Sequence, residues 1–208
     1  MSIKKAAVCS VVLLFCAAYA GAQKGGEEIA PDTLKVDYFA NAGGSPDQTV
    51  QMTNPGTAGT SLCAAVYVFD ATEEMSECCS CLLTPDGLRT FSVNKDLLGN
   101  PLTPAGTIPT GVIKVVSIPV LGSGVCPAYP TSLVPTAAIR AWATHLQNNG
   151  TLTETPSQNA TLSATEVLDL EIECYGIQID GSGHGQCTCG TGDAGADTYI
   201  PAPGPWEF

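Results

Sequence analysis

Basic residues are scarce: 8 Lys and Arg stand against 20 Asp and Glu, a formal charge of −12. That balance argues against a nucleic-acid partner, because neutralising phosphates takes clustered Lys and Arg. It also disfavours anionic membrane surfaces. Histidine is rarer still. Only His145 and His184 are available as a base near neutral pH, and no G-x-S-x-G elbow accompanies them, so serine-hydrolase chemistry has little support. His145 sits in an apolar segment beside Trp142, where a structural imidazole is the default. Beyond the first 22 residues no stretch approaches the ~20 apolar residues a membrane-crossing helix takes. No D-x-[DN]-x-[DN]-G calcium loop is present, and no cofactor is implied. Charged residues make up 13% of the chain against 44% hydrophobic, a composition opposed to intrinsic disorder.

What the chain does have begins with a secretory pattern in residues 1–22. Lys4 and Lys5 precede a small, apolar run, and Ala18-Tyr19-Ala20 or Ala20-Gly21-Ala22 offers the small-x-small cleavage site. The expected product carries 20 acids against 6 bases, because Lys4 and Lys5 leave with the segment. A lipidated cysteine is disfavoured by the bulky Phe15 before Cys16. Cleavage leaves eight cysteines: Cys63, Cys78, Cys79, Cys81, Cys126, Cys174, Cys187 and Cys189. In an oxidising compartment an even set reads as four disulfides, with on the order of a hundred possible pairings. The neighbours Cys78 and Cys79 are poor partners for each other, since a relaxed bridge holds Cα atoms about 5.5 Å apart. Each is expected to reach a different partner, as are Cys187 and Cys189, tying the middle of the chain to its C-terminal part.

With Gly 22 and Pro 15, many turns are expected. Residues 34–39 alternate as a half-buried strand does. Residues 49–53 form a short strand running into the Asn54-Pro55-Gly56 turn. Residues 62–69 are continuously apolar and β-branched or aromatic, as in a central strand. Asp70-Ala71-Thr72-Glu73 has capping-box spacing and predicts a helical turn through the acidic stretch before Cys78. Pro85-Asp86-Gly87 is a turn, 88–93 a strand and 100–111 a loop. Residues 112–120 alternate most cleanly of all, with Pro119 marking an end or an edge. Residues 138–146 fit both periods, and the Asn148-Asn149-Gly150 turn tilts them toward strand. Ser163-Ala164-Thr165-Glu166 opens a helix with two apolar rows, Val167, Leu170, Cys174, Ile177 and Leu168, Ile172, Tyr175, Ile179, ending at Gly181. That helix should pack on a sheet. The fold class predicted is mainly β: an antiparallel β-sandwich-like domain with one C-terminal helix, stapled by disulfides, with α+β as the alternative. Residues 23–190 form one domain in this reading, and 191–208 a loosely held tail.

Four constellations bear on chemistry. Cys78-Cys79-Ser80-Cys81 contains C-x-x-C spacing, but Glu73, Glu74 and Glu77 just upstream would raise a thiol pKa, which favours structural disulfides over redox work. His184, Cys187 and Cys189, together with Cys78 and Cys81, have soft-metal ligand chemistry, yet coordination takes thiolates that export normally oxidises. The Gly-rich 180–185 stretch follows a helix, whereas phosphate cradles precede one. Its glycines suit a helix C-cap and a close approach to Cys187. Asp70, Glu73, Glu74 and Glu77 form i,i+4 pairs if helical, and a solvated acidic rim is favoured over a calcium site. Asn149-Gly150-Thr151 and Asn159-Ala160-Thr161 match the glycosylation sequon.

The segments Tyr67-Val68-Phe69-Asp70, Glu77-Cys78-Cys79-Ser80-Cys81, Thr84-Pro85-Asp86-Gly87-Leu88 and Gly181-Ser182-Gly183-His184-Gly185-Gln186-Cys187-Thr188-Cys189-Gly190 resemble a group of secreted, cysteine-rich bacterial proteins of acidobacterial type. The resemblance implies a secretion habit and a cysteine pattern, and no mechanism. The stretch 49–56 is also similar to bacterial immunoglobulin-like sandwiches. The function expected is a non-enzymatic, secreted (extracellular or periplasmic) or envelope-associated binding or structural protein, with a protein, glycan or matrix partner. The alternatives are an extracellular hydrolase using carboxylates or a metal near His184, and a metal-handling or thiol-redox protein acting through the cysteine clusters.

Overall fold

The computed structural model describes residues 32–40, 46–102, 108–120, 122, 124–127, 134–147 and 149–192. The secretion segment expected at 1–22 lies outside the described residues. The elements run β1 (Leu34–Ala40), β2 (Thr49–Thr53), β3 (Leu62–Asp70), β4 (Met75–Leu83), β5 (Leu88–Ser92), a single π-type turn (Val93–Leu97), β6 (Thr110–Pro119), β7 (Arg140–Leu146), β8 (Leu152–Pro156), β9 (Gln158–Ala160), α1 (Ala164–Ile179) and β10 (Thr191–Gly192). They build two five-stranded sheets, ordered β4-β3-β6-β1-β9 and β10-β5-β2-β7-β8. Every ladder between these strands is antiparallel.

The sheets face each other over an apolar core. Phe39, Val66, Val68, Ile113, Val115 and Leu83 from the first sheet meet Val50, Met52, Phe91, Ala141 and Ala143 from the second. The outer face of the first sheet is covered by α1, and a second core forms there from Cys63, Ala65, Tyr67, Val116, Ile118, Leu170, Cys174 and Ile177. The chain is therefore three layers deep, helix on sheet on sheet. Strand β3 lies between β4 and β6 and buries alternate residues into both cores, which is why residues 62–68 read as one continuous apolar run. β6 is likewise interior, so Pro119 marks its end and not an edge.

Four disulfides fix the frame: Cys63–Cys126, Cys78–Cys174, Cys79–Cys187 and Cys81–Cys189, with Cα separations of 5.3–5.8 Å. Successive residues of β4 point to opposite faces. Cys78 therefore reaches the helix above the sheet, while Cys79 and Cys81 turn inward to the 187–189 segment. Thr191 and Gly192, expected as part of a tail, instead add an edge strand beside Thr90 and Arg89 of β5. The remaining tail, 193–208, lies outside the described residues.

One local expectation is overturned. Residues 70–74 make no helical turn. They close a tight hairpin in which Asp70 N–H donates to Glu74 O at 3.0 Å and Glu73 N–H to Asp70 O at 3.2 Å. Glu73 takes the left-handed conformation, φ 69°. The Asp70 carboxylate accepts from the backbone N–H groups of Thr72 and Glu74, at 2.7 and 3.1 Å. An Asp at a helix start and an Asp in a turn use the same kind of side-chain-to-backbone bond. Pairing of Met75–Leu83 along β3 decides for the turn.

Candidate binding surface

The hairpin keeps three of the four acids at its tip and turns the fourth inward. Asp70, Glu73 and Glu74 stand at the β3–β4 tip, Glu73 and Glu74 exposed. Glu77 leaves the rim altogether and is fully buried in β4. Its Oε1 accepts from the Asn100 N–H at 2.9 Å, and its Oε2 has no partner. Burial pushes this carboxyl up to about 8, only partly offset by the Asn100 N–H. The i,i+4 pairs Glu73/Glu77 and Asp70/Glu74 are thus not helical neighbours. Burial of Glu77 in β4 parts it from Glu73, whereas Asp70 and Glu74 stay paired across the hairpin, Asp70 N–H donating to Glu74 O and Glu74 N–H to the Asp70 carboxylate.

His184 lies half-buried in the 181–185 loop, its backbone N–H donating to Ser182 Oγ at 3.0 Å while its ring Nδ1 has no hydrogen-bond partner among the described residues. Its expected ligand neighbours Cys187 and Cys189 are bonded to Cys79 and Cys81, so neither carries a thiolate for a metal. Among the described residues no group of three or more His, Cys, Asp or Glu side chains is placed to hold an ion. Of the two roles expected of these glycines the helix C-cap is seen, while the close approach is made to Ile177 and not to Cys187. Gly181 follows the α1 cap with φ 71°. Gly185 is pressed so close that a Cβ would lie 2.4 Å from Ile177 Cγ2. There its carbonyl accepts the Cys78 N–H at 2.9 Å and its own N–H donates to Asn100 O at 2.7 Å, seating the loop against β4.

His145 is buried and stacks on Tyr38, ring centroids 4.3 Å apart. Beside it Asp37 accepts from Ser157 Oγ at 2.5 Å, and burial holds the Asp37 carboxyl above the usual range against the opposing pull of Ser157 and His145. Ser157 is where the chain passes from β8 in one sheet to β9 in the other. The trio is an internal tie at the sheet crossing, with the serine hydroxyl engaged by the carboxylate and not by the imidazole. Asn159 of the second sequon accepts from Lys35 Nζ at 2.7 Å.

The feature that the sequence pattern left unseen is on α1. Of its two apolar rows only Leu170, Cys174 and Ile177, with Val167 packed against them, face the sheet. The other row is turned to solvent: Leu168 is 53% exposed, Ile172 59%, Tyr175 42% and Ile179 49%. Spaced four, three and four apart, these residues form a single stripe along the helix. Beside its C-terminal half lies an open groove of about 410 Å3, floored by Met75, Leu102, Gly176 and Ile177 and rimmed by Glu73, Glu74, Glu173 and Asp180. Gly176 leaves a notch there, since a Cβ at that position would meet nothing within 4 Å. Glu173 is held above the usual carboxylate range by partial burial and then by Asp169. No basic residue occupies the last turn of α1, so the negative end of its dipole faces this groove uncompensated. Lys114, the cation nearest Glu173, is committed to Glu166 and to the Phe69 ring, 4.6 Å from its centroid.

Comparison finds no match to this chain among protein-family models, curated proteins or solved structures. Among the described residues no helix is long and apolar enough to cross a membrane.

Proposed function

We propose that the chain is a secreted or envelope-associated protein that binds a partner or builds a matrix without catalysing a reaction. The observation that carries the reading is the outward apolar stripe of α1 beside an acidic groove, held on a frame braced by four disulfides. Apolar side chains in register on one helix face gain nothing in water and gain area burial on contact with a partner. Disulfides persist in oxidising compartments, which supports export and agrees with the secretory pattern of residues 1–22. The same bonds leave Cys78, Cys79, Cys81, Cys187 and Cys189 without the thiolates that metal or redox work takes.

The test has two parts. Native secreted protein should contain no titratable thiol, and reduction should add two hydrogens of mass per bridge. Purified protein should turn over no glycan, peptide or ester substrate. Hydrolysis abolished by His184→Ala or Glu77→Gln would overturn the reading in favour of a hydrolase. Free thiols holding an ion would overturn it in favour of metal handling.

A further inference from the structure

Resting on that binding reading, we infer that the α1 stripe and the adjoining groove dock a basic, amphipathic segment of another protein, with aliphatic residues laid on Leu168, Ile172 and Ile179 and Lys or Arg side chains reaching the groove.

Charge selects the occupant. On the helix surface Asp169 and Glu173 flank one side of the stripe, with Gly176 between Glu173 and the apolar row. Glu73 and Glu74 close the groove from the hairpin, and Asp180 closes it from the helix end. Among the described residues no Lys, Arg or His lines it. A Lys or Arg side chain suits such a slot at both ends. Its methylene stem covers Met75, Leu102 and Ile177, and its charged head lies among carboxylates and the carbonyl end of the helix. An amphipathic segment would meet this surface with its own apolar residues at i, i+3, i+4 and i+7. A second copy of this chain is opposed by its own charge, 20 acids against 6 bases on each expected mature product, with Glu73, Glu74, Glu173 and Asp180 rimming this groove. An anionic bilayer is opposed on the same ground.

The experiment uses the full oxidised mature chain, isotope-labelled, titrated with a synthetic helical peptide of Leu and Lys in which the leucines recur every three to four residues. The expected result is saturable binding with amide shifts confined to residues of α1, the 70–75 hairpin and Leu102. A peptide with every Lys replaced by Glu should not bind. The double variant Ile172→Ser/Ile179→Ser and the charge reversal Glu74→Lys/Glu173→Lys should each weaken binding roughly tenfold or more. Gly176→Leu fills the notch and also favours the helix, so loss of affinity there cannot be ascribed to unfolding.

Equal binding of the Glu peptide, shifts spread over the whole surface, or affinity unchanged in the variants would each overturn the inference. So would concentration-dependent dimerisation abolished by Ile172→Ser/Ile179→Ser, which would make a second copy the occupant. Binding to anionic phosphatidylserine vesicles lost in the same variant would make it a membrane. Failure of the Lys peptide to bind would also overturn the inference, and it is distinguishable from failure of the non-catalytic reading, which is tested by turnover and by free, ion-holding thiols.

Discussion

At the scale of single residues, the most consequential group is the Glu77 carboxyl. Pushed up to about 8 by burial, against a value near 4.3 in an unfolded chain, it favours the neutral form in the fold. A raised folded-state value means that its contribution to stability is fully present below the unfolded value and is lost as pH rises through about 8. Glu77→Gln keeps an oxygen for the Asn100 N–H and cannot ionise. Guanidinium unfolding should therefore show the variant close to the parent at pH 4 and more stable than the parent at pH 9. An unchanged difference between the two pH values would show that the carboxyl is solvated. Arg89 is the converse case, a buried cation whose guanidinium donates to Leu82 O at 2.7 Å and Cys189 O at 2.9 Å, joining β5 to the opposite sheet and to the C-terminal segment. Nothing in the local sequence distinguishes either residue from a surface charge, because the neighbours that bury them come from distant parts of the chain.

At the scale of elements, β1, β2, β3, β5, β6, β7 and α1 follow from local pattern, while β4, β8, β9 and β10 and the relation of each element to solvent do not. Helix α1 starts where its cap does: Ser163 Oγ accepts the Glu166 N–H at 3.1 Å, and Glu166 goes on to pair with Lys114 of β6. Ser163→Ala should lower stability by about 1 kcal/mol, read from the guanidinium midpoint. Because Cys174 bonds the helix to Cys78, the loss should appear in the global transition and not as detachment of α1. The two apolar rows show where periodicity stops. Both satisfy the same helical repeat, and only one sheet face is available to cover them. The acidic hairpin shows a second limit, since capping and turning share one hydrogen-bonding habit and pairing across β3 and β4 settles it.

At the scale of the whole molecule, the disulfides divide the work unequally. Cys78–Cys174 closes a long loop, with a sequence separation of 96. Once it is made, Cys79–Cys187 closes a ring of only about 14 residues, and Cys81–Cys189 a shorter one still. Replacing Cys81 and Cys189 by alanine should therefore cost about 2 kcal/mol, and removing both inner bridges together about 5 kcal/mol, in denaturant unfolding. A much larger loss from the single pair would mean that the bridges act through native packing and not through the unfolded chain. The same two bridges carry the 187–189 segment inside the sandwich edge, where Thr188 Oγ1 donates to Asp96 at 3.0 Å and β10 can extend the second sheet.

The amino-acid order alone determined the fold class, the positions of β1, β2, β3, β5, β6, β7 and α1 within about two residues, the even cysteine set and the scarcity of cations, because each depends on local spacing or on composition. Only the tertiary structure decided which cysteine meets which, that Glu77 is buried while Glu73 and Glu74 are not, and that Leu168, Ile172, Tyr175 and Ile179 face water. Those outcomes depend on which surfaces three packed layers bring together, and burial is a property of neighbours far apart along the chain.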